Sequence, residues 1–190
     1  TNYFLPFLRL APVQCTSWGI QVTSGIPQVD YYLSSALVEP DDAAEHYSET
    51  LLLAETLLSH RERSRVEGTP AREDFGFSEG EHLYLCAHQL GKFHPDFDHL
   101  MADILRGDPA GRIVITEDAS GYGAQMLRDR LAAREPDVAQ RIQFVPRMDR
   151  EEYPGLTAAV DVLLDPIHFG GVNTSYDGFS LDKPIVTLPS

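Results

Sequence analysis

The chain has 190 residues, 43% of them hydrophobic, so it is long enough to bury a core and is not a disordered tail. Its 15 basic and 29 acidic residues give a formal net charge of -14, which repels nucleic-acid phosphates and anionic membranes from the general surface. No apolar run approaches the roughly 20 residues that span a bilayer, and the opening residues lack the features of a signal peptide. We therefore expect a soluble, cytoplasmic protein without a nucleic-acid or membrane partner, whose two cysteines are buried thiols rather than a disulfide.

The first part of the chain, residues 1–58, predicts a piece of an α/β domain. The stretch "VDYYLSS" at 29–35 is typical of a strand, and Pro40 with the acids that follow it suits the first turn of a helix. Residues 59–81 are polar, charged and interrupted by glycine and proline, which is typical of a linker.

From residue 82 onward, short apolar runs alternate with segments of helical period. The strand-like runs are "LYLCA", "RIVIT", "IQFVP", "DVLLD" and "PIVTLP". One helix is predicted from Pro95, with an apolar stripe at three- and four-residue spacing, and another over about 122–134. This alternation predicts an α/β fold: a Rossmann-like domain over 82–190 with a mainly parallel sheet and helices on both faces.

A glycine-rich loop, "HFGGVNTSYDGFS", separates the strand ending at Asp165 from the last predicted helix. Gly170 and Gly171 allow another backbone or a ligand to approach, and Asn173 and Thr174 are suited to cap a helix whose amides face a phosphate. The spacing fits equally well an ordinary capping pair of Thr174 with Asp177, in which the glycines only make a turn.

Several stretches of the chain resemble the O-GlcNAc transferase and SPINDLY-like glycosyltransferase family. They agree in order and spacing and cover nearly the whole chain: "RLAPVQCTSWGIQVTSGIPQVDYYLSS", "EPDDAAEHYSE", "HLYLCAHQLGKFHPDFDHLMADIL", "RIQFVPRMDREEYPGLTAAVDVLLDPIHF" and "GGVNTSYDGFSLDKPIVTLPS". The resemblance implies the GT-B architecture of two facing Rossmann-like domains. Residues 1–58 would then be part of the N-terminal catalytic domain, and 82–190 the C-terminal nucleotide-sugar-binding domain, truncated at its C-terminus.

The same resemblance implies an activity. The expected reaction is inverting, metal-independent transfer of GlcNAc from UDP-GlcNAc to a Ser or Thr hydroxyl of a protein, with no cofactor. Tetratricopeptide repeats in the full-length protein would recruit the protein acceptor. The alternatives are a GDP-fucose or UDP-glucose donor on the same fold, and a protein that binds nucleotide-sugar without transferring it.

The resemblance also assigns residues to the donor site. Lys92 is the expected catalytic residue, because its ammonium would neutralise the β-phosphate as the sugar leaves. Asp177 is expected on the ribose hydroxyls, and Met148 and Arg150 near the base. The complete set expected to bind the nucleotide-sugar is Gln89, Lys92, Met148, Arg150, Gly170, Gly171, Asn173, Thr174 and Asp177. From its spacing alone, Lys92 also fits a solvated lysine in front of a helix.

The chain departs from the family at two places, of which the first, together with the family's missing end segments, motivates the binding-only alternative. Ile20 and Gln21 stand where relatives usually carry a His-Pro pair, and Val172 stands where some carry a histidine in the glycine-rich motif. His168, at the mouth of that motif, is the best remaining titratable candidate. The acids of "DFD" at 96–98 predict no metal site, because residues i and i+2 of a helix do not share a face.

Overall fold

The computed structural model describes residues 2–19, 22–64, 66, 68 and 70–188. The chain divides into two compact units, Thr1–Arg61 and Glu62–Ser190. Ile20 and Gln21, where the sequence departs from the family, lie outside the described residues.

The first unit contains a sheet of three parallel strands in the order β1 (Cys15–Ser17), β2 (Tyr31–Ser35) and β3 (Thr50–Ala54). The strand predicted at 29–35 is β2. The buried apolar side chains described in this unit are few: Ile26, Val29, Tyr32 and Ala43.

Two expectations for the first unit were wrong. The helix expected after Pro40 is only a 3-10 turn, Ala43–His46, because β3 already begins a few residues later and leaves no room for an α-helix. The prediction of two buried thiols fails for Cys15, which is exposed because it begins the edge strand β1, whereas Cys86 is buried.

The second unit is built on five parallel strands in the order β6-β5-β4-β7-β8. Their bounds are β4 (His82–Cys86), β5 (Gly111–Thr116), β6 (Ile142–Val145), β7 (Val162–Leu164) and β8 (Ile185–Val186). All five coincide with predicted runs. The sheet grows from β4 through β5 to β6 on one side, and β7 and β8 are then added on the other side of β4. The carboxyl ends of β4 and β7 therefore flank a topological switch point, where open α/β sheets bind their ligands.

Four α-helices connect these strands: α1 (Pro95–Gly107), α2 (Tyr122–Arg134), α3 (Tyr153–Ala159) and α4 (Asn173–Ser180). The first two match the predicted helices. Within the described ranges, no helix is long and apolar enough to cross a membrane.

Successive residues of the central strands reach opposite faces of the sheet, as the period of two requires. On β4, Cys86 joins a core formed with α1 and α2, whereas Leu83 and Leu85 join a core on the other face with Leu156 of α3. Both faces are therefore covered, which confirms the predicted α/β arrangement. The apolar stripe predicted for α1 consists of Phe97, Leu100, Met101, Ile104 and Leu105. Phe97, Met101 and Leu105 are buried and Ile104 is partly buried, whereas Leu100 is exposed.

The segment assigned to a linker, residues 59–81, differs from that expectation over most of its length. Residues 62–81 are grouped with the second unit, and a 3-10 turn, Arg72–Phe75, lies within them. Phe77 is only 2% exposed and packs in the core that contains Leu83, while the Arg72 guanidinium lies 2.6 Å from the Asp161 carboxylate. These contacts attach residues 72–77 to the sheet despite their polar neighbours in the sequence.

Candidate functional site

A cavity of about 700 Å³ opens at the carboxyl edge of the second unit's sheet. It is lined by residues at the ends of three neighbouring strands: 87–91 after β4, 116–120 with 122–123 at and after the end of β5, and 147–148 after β6. Thr174 of α4 and Tyr153 of α3 complete the lining. A cavity of this size suits a small-molecule ligand or a nucleotide.

The glycine-rich loop beside this cavity is held by Asp165, the residue that follows β7. The backbone N–H of Gly171 donates to Asp165 Oδ1 at 2.7 Å, and the Thr187 hydroxyl donates to Asp165 Oδ2 at 2.9 Å. A methyl group on Gly170 would overlap the Asp165 carboxylate. Glycine is therefore required at 170 because this carboxylate lies directly against the loop.

His88, which follows β4, is buried between the loop and the sheet. Its Nε2 lies 3.2 Å from Asp165 Oδ1 and 2.9 Å from Thr174 Oγ1, and its Nδ1 lies 3.8 Å from the Cys86 sulfur. Burial, assisted by the charge of Lys92 and opposed by that of Asp165, lowers the pKa of His88 to about 4. The ring is therefore neutral at pH 7.

The partners of His88 indicate which of its nitrogens carries the proton. The nearby Asp165 carboxylate favours a proton on Nε2, so we assign the proton there, and Nε2 then donates to the Thr174 hydroxyl oxygen at 2.9 Å. Nδ1 then faces the Cys86 thiol, whose pKa is raised by burial and which therefore keeps its own proton. With Nε2 acting as a donor, Thr174 is left with its hydroxyl proton to donate elsewhere, and Thr174 lines the large cavity.

Lys92 joins the end of β4 to the glycine-rich loop. Its Nζ donates to the Gly170 carbonyl at 2.8 Å and lies 4.5 Å from the centroid of the Phe169 ring. These contacts hold the ammonium against the loop. A lysine that is only solvated in front of a helix, the alternative drawn from its spacing, would need no such contacts. A lysine ammonium has three protons, so one hydrogen bond to Gly170 leaves two for a ligand.

The structure places the predicted donor-binding residues in three groups. Gln89, Met148 and Thr174 line the cavity. Lys92 contacts Gly170, and Gly171 lies so close to Thr174 and His88 that a Cβ there would overlap both side chains. The remaining three do not belong to the described cavity lining: Asn173 in the first turn of α4, Asp177 half-buried in the same helix, and Arg150 on an exposed turn.

The predicted cap of α4 was wrong. The helix begins at Asn173, so Val172 occupies the N-cap position, and its side chain makes no capping hydrogen bond. Thr174 therefore lies inside the first turn, and the alternative capping pair with Asp177 is not formed either. The physical reason is the His88 ring, which takes the Thr174 hydroxyl as its neighbour.

Among the residues of the site that were not singled out from the sequence are Asp165, Arg147 and Tyr153. Arg147 and Tyr153 line the cavity, and burial raises the pKa of the Tyr153 hydroxyl. Among the described residues, that buried hydroxyl makes no hydrogen bond, although the nearby Thr157 side chain acts to lower its pKa. Only Asp165 had a usable signal, since an acid directly after a buried parallel strand lies at the ligand-binding edge of the sheet.

The chain is similar in sequence to two curated plant proteins. Over 191 residues it is 26% identical to a probable UDP-N-acetylglucosamine–peptide N-acetylglucosaminyltransferase, SEC, from Arabidopsis thaliana, covering 96% of this chain and 19% of that protein. Over 185 residues it is 23% identical to a probable enzyme of the same activity, SPINDLY, from Petunia hybrida, covering 95% and 19%. The chain thus spans about a fifth of the length of these relatives. No known protein-family profile matches it.

Two solved structures share its fold. An O-GlcNAc transferase from Thermobaculum terrenum superimposes with a TM-score of 0.73 at 23% identity, over 94% of this chain and 34% of that one. A sucrose-phosphate synthase from Thermosynechococcus elongatus gives a TM-score of 0.55 at 17% identity, over 83% and 40%. These likenesses confirm the resemblance drawn from the sequence and the GT-B type of α/β fold.

Proposed function

We propose that this chain, which resembles the O-GlcNAc transferase and SPINDLY-like glycosyltransferases over nearly its whole length, is the nucleotide-sugar-binding part of such an enzyme. The proposed reaction is transfer of GlcNAc from UDP-GlcNAc to a Ser or Thr hydroxyl of a protein, the activity that the curated relatives' names describe. The observation that carries the proposal is the contact of Lys92 with the glycine-rich loop, beside a cavity of about 700 Å³ at the sheet's carboxyl edge.

The geometry supports a different role for each group around the donor's diphosphate. The first amides of α4 and the ammonium of Lys92 provide positive potential on neighbouring parts of the loop, and Thr174 has a hydroxyl proton available. Asp165 carries no contact to the donor in this proposal. It holds the Gly171 amide in place, so that the loop need not reorganise when the phosphates arrive.

In the proposed reaction the acceptor oxygen attacks the anomeric carbon and gives up its proton to solvent, while the bond from that carbon to the diphosphate oxygen breaks. The electron pair of the broken bond stays on the diphosphate, whose added charge Lys92 and the α4 amides stabilise. A single displacement of this kind inverts the anomeric centre. Because the chain's own donors supply the stabilisation, the proposal needs no metal ion and no cofactor.

The remaining donor contacts are proposed from the resemblance. Asp177 would bind the ribose hydroxyls, Asn173 the diphosphate, and Gln89 the region near Lys92. For the base, Met148 is the better-supported residue because it lines the cavity, whereas Arg150 would have to move its exposed side chain inward.

The partners and location follow from the same proposal. The full-length protein would act in the cytoplasm on protein acceptors that tetratricopeptide repeats recruit. The net charge of -14 favours neither nucleic acid nor an anionic membrane as a partner.

Calorimetric titration of the chain with UDP tests the site. We expect Lys92→Ala to weaken UDP binding about tenfold, near 1.4 kcal/mol, because one charge-assisted contact to the diphosphate is lost. The matched control is Arg112→Ala, which also removes one positive charge, but from a residue near the amino end of β5 that pairs with Glu81. This control should bind UDP as the unaltered chain does.

An equal loss in both variants, or no loss in either, would contradict the assignment of Lys92. A parallel titration with GDP separates the donors, since a preference for GDP would transfer the proposal to GDP-fucose. Transfer itself is measured on the full-length protein with UDP-GlcNAc and protein acceptors. Donor binding without any turnover there would favour the binding-only alternative.

A further inference from the structure

Three side chains from two distant segments meet at the surface of the second unit: His94, Asp96 and His168. Asp96 Oδ2 lies 3.1 Å from His168 Nε2 and 3.3 Å from His94 Nδ1. One ligand atom from each residue lies within 4.8 Å of the other two. The sequence had pointed to Asp96 only as part of an acidic pair with Asp98, but Asp98 is fully buried and binds Arg130 at 2.8 Å.

The backbone brings these groups together at some cost. His94 is the N-cap of α1, and Asp96 lies in the first turn of that helix. His168 lies on the glycine-rich loop with a φ of 71°, a left-handed conformation that is uncommon for a residue other than glycine. This conformation directs the imidazole towards α1, where the His94 and His168 rings pack edge to face with their centroids 4.8 Å apart.

The spacing of the ligand atoms suits a transition metal. Zinc binds histidine nitrogen and carboxylate oxygen at about 2.0–2.2 Å in tetrahedral geometry, which places neighbouring ligand atoms about 3.4 Å apart. The two distances to Asp96 already have this length, although His94 Nδ1 also accepts the Asp96 backbone N–H at 3.3 Å and would exchange this cap hydrogen bond for the metal. Because all three residues are exposed, their side chains can rotate to shorten the third distance.

We propose that His94, Asp96 and His168 form a binding site for a divalent transition-metal ion, zinc in the first place, which clamps the glycine-rich loop to the start of α1. Two imidazoles and one carboxylate are a ligand set that zinc accepts, leaving the fourth position to water. The ion has no part in the proposed sugar transfer. It would fix the loop whose Gly170 carbonyl Lys92 contacts, and its binding does not depend on the proposed function.

The competing explanation is a surface ion pair, in which Asp96 simply lies between two imidazoles. Such an arrangement would hold no metal. The two explanations separate in a titration of the full chain with Zn²⁺, with Mg²⁺ as the hard-ion control, since magnesium prefers oxygen ligands in octahedral geometry.

The variants are chosen to keep the fold. His168→Asn removes the imidazole but retains a residue that tolerates positive φ, and His94→Asn retains a good N-cap for α1. The matched control is His46→Asn, which removes an exposed histidine beside an acid, Asp42, in the first unit. We expect one zinc ion per chain, an affinity at least tenfold lower in both site variants and unchanged in the control, and no comparable Mg²⁺ binding.

Two further measurements complete the test. The visible spectrum of the Co²⁺-loaded chain should show tetrahedral nitrogen and oxygen ligation without a thiolate band, which excludes the exposed Cys15 as the ligand. Hydrogen exchange at 168–172 should slow when Zn²⁺ is added to the unaltered chain, and not in His168→Asn. Zinc affinity that survives both histidine variants, equal binding of Mg²⁺, or a thiolate spectrum would overturn the proposal.

Discussion

The two units of the chain are stabilised by different kinds of interaction. In the second unit, the central strands β4 and β5 are covered on both faces, and Leu85 and Ile113 are fully buried. In the first unit, β3 exposes Leu52 and Leu53 by nearly half, and the best-connected buried group is a carboxylate, Glu49. Apolar burial therefore dominates one unit, and hydrogen bonds to charged groups carry much of the other.

This difference explains where a binding site can be built. A site needs groups that stay in place when the ligand is absent, and a fully packed sheet provides them. Asp165 and His88 follow β7 and β4, both strands of that packed sheet, and hold the glycine-rich loop from there.

The stability of the two units can be measured separately. Trp18, the single tryptophan, reports on the first unit, whereas all the α-helices described lie in the second and dominate its circular dichroism.

The largest expected effect is on the free energy of unfolding, and it should differ between a leucine in each unit. Leu85→Ala removes a fully buried side chain from β4 and should destabilise the second unit by about 2–5 kcal/mol. Leu53→Ala on β3 removes a side chain that is 48% exposed and should cost the first unit less than about 1 kcal/mol. Urea unfolding followed by circular dichroism and by tryptophan fluorescence measures both. Similar losses from the two substitutions would contradict the difference in packing.

The next effect is a pH dependence confined to the second unit. The pKa of His88 is about 4 in the folded chain against an ordinary 6.5, so the unfolded chain binds a proton first as the pH falls. His88 should therefore stabilise the fold fully above pH 6.5, and up to about 3 kcal/mol of that stability should be lost by pH 4.

His88→Asn has no titrating group and should lack this loss. Urea unfolding at pH 7, 6 and 5, monitored by circular dichroism, gives the free energy of unfolding of the unaltered chain and of the variant. The contributions of the other ionisable groups cancel in the difference between the two. That difference should shrink steadily with falling pH, while the tryptophan signal of the first unit stays the same in both. A constant difference would mean that His88 is not buried in the neutral form.

The sequence predicted the second unit well because its elements are locally encoded. Pro95 at a first helical position and the apolar period that follows it define α1, and five short apolar runs define the sheet. The first unit was predicted less well. The turn after Pro40 had helix-starting residues, but the return of the chain to β3 prevented a helix, which no local pattern shows.

The site was predicted from the resemblance more than from local patterns. The contact of Lys92 with Gly170 and the approach of Asp165 to the glycine-rich loop join segments that are far apart in sequence. The failed cap of α4 has the same origin, because His88 from another strand occupies the neighbourhood of Thr174. The spacing of residues along one helix cannot show contacts with a residue from another strand.

The smallest of the three effects tests the polar stabilisation of the first unit. Glu49 is only 5% exposed, and it accepts hydrogen bonds from the Thr23 hydroxyl at 2.6 Å and the Ser24 amide at 2.8 Å. Burial acts to raise its pKa, but these hydrogen bonds, with the Ser24 hydroxyl, lower it to about 2 from an ordinary 4.5. Glu49→Gln should therefore cost about 2 kcal/mol at pH 7, measured by tryptophan fluorescence in urea.

The pH dependence has a definite sign. A carboxylate with a lowered folded pKa stabilises the fold above about pH 4.5, and this contribution disappears as the pH falls towards 2. The cost of Glu49→Gln should therefore fade over that window, which lies below the window of His88. The control is Glu45→Gln, an exposed acid in the turn of the same unit, which should change stability by less than about 0.5 kcal/mol. If Glu49→Gln costs as much at pH 2.5 as at pH 7, or lowers the circular-dichroism transition equally, the two units do not differ in the way their packing indicates.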